Sequence, residues 1–451
     1  MLIPVGFSYN SHPERFVSVE NAINMQPEYA GGRSAVILRS CPGLSTFATC
    51  DANATEGRGM VTVRGVLYCV VGRYLYKVAS DGTVTQYDRI DGSGIVGMSE
   101  NGEIIHITTG NKDYLFDVNT EVLSTPTKTV FGYTSAYHNG RFVSEDPDAT
   151  DQGRFYYSGI DGTTWSDLDF ATAEQKTDDA LRVFPHKGVL DVFGTRSTEF
   201  WGSDANGPIP IFSAYLNVGI AGRWSVASAD EYVGFLASDG SFRILQGYNS
   251  QRVSTTAVEA ALTADSSAEV LAYVEQGHTV FEISTSTRTL CYDLTQSQLI
   301  GKPVWFEKQS NGGRHKARFC VYVYGKLLTL SYNDGKVYEL TRTAYPDARE
   351  FTLPHFAEDE NRRWGVLDEV ELIQRVGTAA IAHNTSQVMM RTSRDGGFTY
   401  GEERWSNEET LGQYDARVRY LRLGRWRQIT MNFRKTDQTE WTVTGVHARG
   451  R

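Results

Sequence analysis

Short runs of alternating apolar and polar residues, separated by tight turns, dominate the chain. The turn dipeptides Asp-Gly and Asn-Gly begin at residues 81, 91, 101, 139, 161, 206, 239, 311, 334 and 395, mostly between segments rich in β-branched and aromatic residues. Both central residues of a type I′ turn need positive φ, which Asn, Asp and Gly tolerate best. The pattern therefore predicts consecutive β-hairpins and an all-β fold.

The predicted hairpins recur at a regular interval. Units of similar pattern begin at Gly65, Gly102, Gly140, Gly188, Glu231, Gly277 and Gly325, with 37 to 48 residues between successive starts. Periods of about 40 to 50 residues are typical of four-stranded β-propeller blades, which bury their apolar faces only by stacking around an axis. We expect seven blades, or six if one hairpin belongs to a peripheral element. A pair of β-sandwiches is the alternative fold.

The pattern changes after about residue 345. The turn-rich repeat gives way to PDARE, a charged stretch EDENRRW at 358–364, and longer alternating strands up to residue 451. We expect an N-terminal strand segment over 1–50 that closes onto the propeller or the C-terminal module, a β-propeller over 51–345 and a C-terminal β-rich module over 346–451. Thr256 and Glu259 have capping-box spacing, which predicts one short connecting helix over 257–263.

Composition is that of an ordered, water-soluble protein, with 40% hydrophobic, 12% aromatic and 22% charged residues. The formal net charge of −10 argues against a basic nucleic-acid-binding protein, although an acidic wall would let DNA slide past without sticking. No signal-peptide or membrane-spanning pattern is visible in the sequence, so synthesis and folding in a cytoplasm are expected. The cysteines are odd in number and never form a CxxC pair, which predicts free, buried thiols at Cys41, Cys50, Cys69, Cys291 and Cys320.

Motifs for catalysis, metal binding or cofactor binding are lacking in the sequence. The nine histidines never show HxH or HxxxH spacing, and neither a GxSxG elbow nor a GxxxxGK[ST] loop occurs. Acidic pairs such as Asp178-Asp179 and the run from Glu358 to Glu360 are interpreted as solvated faces, because adjacency does not hold two carboxylates at a catalytic separation. We therefore predict no catalytic residues, no metal and no cofactor.

Residues 391–405, RTSRDGGFTYGEERW, match the Asp-box pattern of propeller sialidases. The match comprises Ser393, Asp395, Gly397, Thr399 and Tyr400. The same residues also suit a self-contained turn, because Asp395 and Ser393 can bond nearby backbone groups, the glycines permit positive φ, and Tyr400 can pack beneath. We predict turn-structural roles for Ser393, Asp395, Gly397 and Tyr400, and the turn leads into the arginine-rich strands.

A basic stretch near the C-terminus stands out in this acidic chain. Its arginines precede Arg434 and Lys435 with no acidic residue between them. Strand alternation places them opposite Val418, Tyr420 and Trp426. Either they form a solvated strand face, or they contact phosphates or carboxylates, of which we favour a carboxylate-lined neighbouring subunit. The candidate interface residues are Arg417, Arg419, Arg422, Arg425 and Arg427.

Three segments, in order along nearly the whole chain, resemble the packaged-DNA stabilisation or tail-nozzle proteins of short-tailed bacteriophages. They are INMQPEYAGGRSAVILRSCPGL at 23–44, the middle segment 156–201, and the C-terminal run that begins SRDGGFTYGEERW. The residues that carry the first two matches, all expected to be structural, are Asn24, Pro27, Glu28, Leu38, Pro42, Gly43 and Leu44, and Trp165, Asp169, Phe170 and Glu174.

The resemblance implies a virion tail protein built on a propeller. It implies a homo-hexameric ring below the portal and its adaptor ring, contacts with tail fibres, spikes or a needle, and packaged double-stranded DNA that passes through without sequence-specific binding. Such a protein retains DNA mechanically and is not an enzyme. The alternative is a propeller glycosidase or carbohydrate-binding protein, motivated by the Asp-box; against it, the start of the chain has no Arg-Ile-Pro segment and the Asp-box matches well only once.

Overall fold

The computed structural model describes residues 2–3, 5–6, 8–31, 36–147, 153–160, 162–202, 211–346, 348–357, 364–375, 386–408 and 416–450. The expected turns at Asp161 and Asn206, the acidic run from Glu358 to Glu360, and His383 lie outside these residues. Six strands come first: β1 (Leu2–Ile3), β2 (Asn10–Ser11), β3 (Val19–Ile23), β4 (Met25–Tyr29), β5 (Val36–Ser40) and β6 (Gly43–Thr49).

Six antiparallel blades follow, each built from four consecutive strands. Blade 1 contains β7 (Gly57–Val63), β8 (Val66–Val71), β9 (Tyr74–Val78) and β10 (Val84–Arg89); blade 2 contains β11 (Gly97–Glu100), β12 (Ile104–Thr108), β13 (Asp113–Asp117) and β14 (Val122–Ser124); blade 3 contains β15 (Ala136–His138), β16 (Arg141–Glu145), β17 (Arg154–Ser158) and β18 (Trp165–Thr172). Blade 4 contains β19 (Ala180–His186), β20 (Val189–Gly194), β21 (Thr198–Gly202) and β22 (Ile211–Leu216); blade 5 contains β23 (Val226–Ala229), β24 (Tyr232–Leu236), β25 (Phe242–Gln246) and β26 (Asn249–Arg252). After helix α1 (Thr256–Leu262), blade 6 contains β27 (Glu269–Glu275), β28 (His278–Ser284), β29 (Thr289–Asp293), helix α2 (Leu294–Ile300) and β30 (Trp305–Ser310).

The seventh blade is completed by a strand from the start of the chain. After the short β31 (Gly313–Arg314), it contains β32 (Ala317–Val323), β33 (Lys326–Ser331) and β34 (Lys336–Thr341), and β6 pairs with β34 as the fourth strand, with Leu44 opposite Leu340. The innermost strand of blade 7, β32, contacts those of blades 1 and 6, which closes the ring. The predicted propeller, with the favoured number of seven blades, is confirmed.

The turn between the first two strands of a blade explains why the blade repeat can be recognised in the sequence. Five of these turns have positive φ at two successive residues, as at Asn139 (46°) and Gly140 (78°), or Lys187 (49°) and Gly188 (77°). This is the backbone of a type I′ hairpin, whose twist matches that of the flanking strands. Glycine at the second position therefore recurs in five of the seven blades.

The remaining strands form a β-sandwich. They are β35 (Arg349–Thr352), β36 (Phe356–Ala357), β37 (Gly365–Gln374), β38 (Gln387–Ser393), β39 (Arg404–Asn407), β40 (Val418–Trp426), β41 (Gln428–Lys435) and β42 (Thr442–Gly450). One sheet has the order β4-β5-β42-β37-β40, with β1 paired to β42; the other has the order β3-β35-β41-β38-β39, with β2 on β3 and β36 on β41. The N-terminal strands are thus part of both sandwich sheets.

The second sandwich sheet continues into the propeller. Ile23 of β3 forms a bridge to Glu307 of β30, the outer strand of blade 6. A single apolar cluster accordingly contains Leu271 and Phe306 of blade 6, Leu340 of blade 7 and the buried sandwich residues Phe433 and Trp441. Because burial of such side chains contributes about 1.5–3 kcal/mol each, the cluster stabilises the junction as well as the sandwich.

Three local predictions need correction. Helix α1 is capped by Thr255, whose hydroxyl accepts from the Val258 N–H, and not by Thr256; Glu259 bonds Arg252 and Ser254 instead of the helix start. Helix α2, capped by Asp293, was not predicted. All five thiols are free, but Cys50 and Cys320 are only half-buried.

The prediction for Asp178 also needs correction, because its side chain is buried and is not part of a solvated face. Its carboxylate accepts from the backbone N–H groups of Arg196 and Ser197 and from the Ser197 hydroxyl. These donors belong to the turn between β20 and β21. Asp178 therefore orders a turn of blade 4.

Candidate functional site

The five candidate interface arginines lie on or beside an edge strand of the sandwich. β40 is the end strand of its sheet, paired with β37, and Arg417 and Arg427 flank its two ends. All five arginines are exposed, whereas Val418, Tyr420, Leu423 and Trp426 are buried. Alternation is interrupted by a bulge opposite Leu367–Glu369, where Arg422 has φ 58° and Gly424 has φ 82°.

Side chains of the facing sheet cover the open edge of β40. The Arg404 guanidinium donates to the Leu421 carbonyl at 2.7 Å, and the Arg419 N–H donates to the Ser406 hydroxyl at 3.1 Å. Both partners belong to β39. An exposed strand edge can pair with a strand of another chain. Because side chains of β39 occupy backbone groups of β40, we expect a partner protein to contact the side chains of β40 and not its backbone.

Arg417 and Arg419 have carboxylate partners within the chain. Arg417 forms a two-pronged ion pair with Glu371 of β37, with 2.6 Å between its Nε and Oε1, and the Arg417 hydrogen bond lowers the pKa of Glu371. Arg419 lies 3.7 Å from the carboxylate of Glu369 on the same strand. These two arginines therefore neutralise charge on their own sheet.

Arg425 and Arg427 instead flank an exposed indole. Their guanidinium carbons lie 5.3 and 4.5 Å from the ring centroid of Trp364, whose side chain is 53% exposed. Within the described residues, no carboxylate lies at ion-pair distance from Arg422, Arg425 or Arg427. We call Trp364, Arg425 and Arg427 the arginine–tryptophan patch; it combines the two residue types that are most enriched at interface hot spots.

The Asp-box residues form a closed hydrogen-bonded turn between β38 and β39. The carboxylate of Asp395 accepts from the backbone N–H groups of Phe398 and Thr399, each at 3.0 Å, and from the hydroxyls of Thr399 and Ser393. The Ser393 hydroxyl in turn accepts from the Gly397 N–H at 2.8 Å. Bonds to Thr399 and to Ser393 hold the pKa of Asp395 well below its usual range.

The N-terminal segment packs against this turn. A side chain at Gly397 would meet Val19, and one at Gly396 would meet Phe16, whose ring lies 5.4 Å from that of Phe398. Tyr400 packs under the Arg391 guanidinium instead, at 4.8 Å. The turn is thus accounted for by internal bonds and by docking of residues 16–19, without a sugar.

The N-terminal signature residues sit where propeller, sandwich and linker meet. Asn24, at φ 55°, donates to the carbonyls of Gln309 and Ala348 and accepts from the Gln309 N–H. Gly43 donates to the Ala344 carbonyl, and an added Cβ would lie 2.8 Å from the Ala344 backbone. Glycine is therefore required where the chain leaves the sandwich and enters blade 7.

The other signature residues lie on β4, beside β6 or near β18. Pro27 is opposite Leu38, Glu28 lies 3.9 Å from Arg39, and Pro42 directly precedes β6. In blade 3, Trp165 is buried beneath Lys128, and Phe170 lies under Arg154 at 4.3 Å. Asp169 is half-buried and Glu174 is exposed.

A Ser–His–Asp group, not foreseen from the sequence, lies between blades 2 and 3. His106 Nε2 is 3.0 Å from Asp113 Oδ2, and its Nδ1 is 2.7 Å from the Ser135 hydroxyl. Lys128 pairs with the same carboxylate. His106 and Asp113 are fully buried, and burial lowers the pKa of His106, so the ring is neutral at pH 7. The group joins blade 2 to blade 3, because His106 and Asp113 belong to blade 2 and Ser135 directly precedes β15.

A second buried network joins the strands of blade 6. The carboxylate of Glu282 contacts Lys308 Nζ at 2.6 Å, the Tyr273 hydroxyl at 2.9 Å and His315 Nδ1 at 2.9 Å. Burial alone would raise the pKa of Glu282, but Lys308 and His315 hold it well below its usual range. The network is close to Asn24, because Lys308 directly precedes Gln309, the hydrogen-bond partner of Asn24, on β30.

Neither a metal cluster nor a membrane helix is found in the described part of the chain. No group of three His, Cys, Asp or Glu side chains there is arranged to hold a metal ion. No helix among those residues is long and apolar enough to span a bilayer.

The structure thus combines a seven-bladed propeller with an appended sandwich that carries exposed arginine and aromatic side chains. Comparison with protein families specifies the class. The chain belongs to the bacteriophage P22 Gp10 phage-stabilisation family, whose β-propeller model matches residues 3–345 and whose β-sandwich model matches residues 349–451. It is a phage structural protein of the tail and DNA-stabilisation type and not an enzyme, and the resemblance seen in the sequence is confirmed.

Three solved structures are similar to this chain at low sequence identity. A computationally designed protein, Ika8, is 11% identical, with 66% of this chain and 99% of that chain covered and a TM-score of 0.39. A streptogramin B lyase is 9% identical, with 66% and 96% covered and a TM-score of 0.46. A chain of a mitotic checkpoint complex is 12% identical, with 66% and 95% covered and a TM-score of 0.44. None of the curated proteins matches the chain.

Proposed function

We propose that this protein forms the nozzle ring of a short phage tail, a homo-hexamer that extends the channel below the portal and its adaptor ring. The observation that carries the proposal is the match of both family models in sequence, over residues 3–345 and 349–451. The ring retains packaged DNA until ejection and then lets it pass. Its further partners are the adaptor and the fibres, spikes or needle of the tail.

The charge of the chain supports passage of DNA without capture. A formal net charge of −10 per subunit repels phosphate, and a ring of such subunits multiplies the effect. Lasting retention then comes from a mechanical closure and not from affinity for DNA. The fusion of the propeller to the sandwich suits a mechanical role, since the two domains share one apolar cluster at their junction.

The arginine–tryptophan patch is the proposed contact with a neighbouring subunit. Arg417 and Arg419 are already paired with Glu371 and Glu369, whereas no carboxylate of the described residues lies at ion-pair distance from Arg425 or Arg427. The proposed partners of these two guanidinium groups are carboxylates of an acidic neighbour. The interface first expected over five arginines is therefore narrowed to the end of β40 that lies beside Trp364.

Electron microscopy with mass measurement in solution tests the proposal. The purified protein, alone and with its adaptor ring, should give ring-shaped particles with the mass of six subunits, and the adaptor should gain an added ring. A strictly monomeric protein that joins neither adaptor nor particles contradicts it. Rings of a different order would preserve the tail role while correcting the stoichiometry.

A further inference from the structure

The axis of the propeller contains a cavity of about 190 Å³. Its walls come from the innermost strands of blades 1, 4, 5, 6 and 7, represented by Met60, Arg182, Val226, Glu269 and Phe319. These strands surround the axis, where propellers have their central channel.

Arg182 is the charged group with spare hydrogen-bonding capacity in this cavity. Its guanidinium lies between two aromatic rings, 5.2 Å from the centroid of Phe184 and 5.3 Å from that of Trp224. One nitrogen donates to the Arg223 carbonyl at 3.3 Å, and no carboxylate of the described chain lies at ion-pair distance from it. Burial lowers the pKa of Arg182 to about 10, and the nearby Glu145 carboxylate partly offsets this effect.

The surrounding charges leave a positive balance. Glu269 is bound by two arginines, Arg314 and Arg318, and Glu145 is paired with Arg223 at 3.3 Å. Arg182 is thus a further positive charge beside Glu269 and Glu145, whose carboxylates already have arginine partners. In a chain whose net charge is −10, Arg182 therefore adds to a local excess of positive charge beside the axis.

The rest of the cavity wall is mixed, because Ser228, Glu269 and Arg318 lie beside apolar and aromatic side chains. Phe184, Trp224, Phe319 and Val321 are half-buried, so that parts of their surfaces face the cavity. A volume of about 190 Å³ is below the roughly 300–1,000 Å³ that drug-sized ligands occupy. The space suits one small ring or a short aliphatic chain.

We propose that the axial cavity binds a small carboxylate with an apolar body, whose oxygens accept hydrogen bonds from Arg182 while the body packs against Phe184, Trp224 and Phe319. A planar guanidinium matches a carboxylate with two parallel hydrogen bonds, and the aromatic walls reject a strongly hydrated ion. This site is independent of the tail function and of ring assembly.

Benzoate and its neutral analogue benzamide test the proposal directly. Titration of the full-length protein by calorimetry, with 4-fluorobenzoate ¹⁹F NMR as a second readout, should give a Kd for benzoate of about 1 mM or tighter. Benzamide, which has the same shape but no charge, should bind at least about tenfold more weakly. Inorganic phosphate should bind more weakly than benzoate, because it gains nothing from the apolar walls.

Two variants assign the binding to Arg182. Arg182→Gln should weaken benzoate binding at least about tenfold, and Arg182→Lys should weaken it less, because lysine retains the charge but not the fork. Arg89→Gln, at an exposed arginine on the outer strand of blade 1, should bind like the unaltered protein. If Arg182→Gln does not fold, Arg182→Lys decides. The proposal is overturned if benzoate does not bind at a concentration 10-fold above the expected Kd, of order 10 mM. It is also overturned if both Arg182 variants bind benzoate as tightly as the unaltered protein does.

Discussion

Asn24 and Gln309 exchange hydrogen bonds across the junction of propeller and sandwich: the Gln309 N–H donates to Asn24 Oδ1 at 2.9 Å, and the Asn24 amide donates to the Gln309 carbonyl at 3.2 Å. The same amide donates to the Ala348 carbonyl at 2.7 Å. One side chain thus connects the N-terminal segment, blade 6 and the linker into the sandwich.

Asn24→Ala should lower the free energy of unfolding by about 2–4 kcal/mol, because it leaves buried backbone groups unpaired and places alanine at positive φ. Asn24→Gly removes the same hydrogen bonds but tolerates φ 55°, so it should cost about 1 kcal/mol less. Urea denaturation followed by tryptophan fluorescence measures both. Equal stability of the alanine variant and the unaltered protein would show that the exchange contributes nothing.

Reversal of the patch charges, Arg425→Glu with Arg427→Glu, should abolish ring formation, because it places like charges against an acidic neighbour. The control is Arg64→Glu with Arg89→Glu, two exposed propeller arginines, which changes the net charge equally and should leave rings intact. Light scattering and electron microscopy provide the readout. Normal rings with altered DNA retention would assign the patch to phosphate instead.

Asp395→Asn should lower the melting temperature at pH 7 by a few degrees, since an amide cannot accept all the bonds of its turn. The folded-state pKa of Asp395 is depressed, so its contribution is fully present above the unfolded value near 4 and is lost as pH falls through the folded value. The difference in melting temperature between the two proteins should therefore be constant above about pH 5 and shrink as pH falls from 4 to 2. A constant difference over that range contradicts the role of the carboxylate.

Glu282→Gln should cost about 3–5 kcal/mol, because it leaves the buried Lys308 charge without its partner. Glu103→Gln, which breaks an exposed ion pair with Arg64, is the matched control and should cost less than about 1 kcal/mol. Chemical denaturation compares them. Similar small losses in both variants would mean that Lys308 is neutralised or hydrated in another way.

Gly43→Ala should destabilise the closure of the ring by about 1–3 kcal/mol, since its Cβ would lie 2.8 Å from the Ala344 backbone. Gly401→Ala is the control, because the nearest atom to its added Cβ is the Thr392 carbonyl oxygen at 3.7 Å. Hydrogen exchange should show faster opening of β6 and β34 in the Gly43 variant alone. Unchanged protection in these strands would contradict the prediction.

The sequence predicted the parts of the fold that depend on neighbours in the chain. Asn139 and Gly140 specify their own turn, and five such turns repeat around the ring. Pairing of Leu44 with Leu340, or of Leu2 with His447, has no local signal, because it depends on which distant strand edge is left open. For the same reason Glu371, 46 residues from Arg417, was not recognised as its partner.

The candidate site shows the same division between local and distant information. Alternation correctly placed Val418, Tyr420 and Trp426 inside, but only the structure separates Arg417, which is paired, from Arg427, which stacks on Trp364. Arg182 gave no signal, since its significance depends on five blades that meet at the axis. Helix α2 was missed because seven residues are too few to establish a helical period.

The pairing of β1 with β42 and of β6 with β34 determines the order in which the two parts of the molecule can be completed during synthesis. β4 and β5 can pair with each other at once, but β1 and β6 are synthesised long before the strands that they pair with. β6 completes the last blade only after residue 341 has been made, and β1 joins its sheet only after residue 446. During synthesis the propeller ring therefore closes before the sandwich is complete.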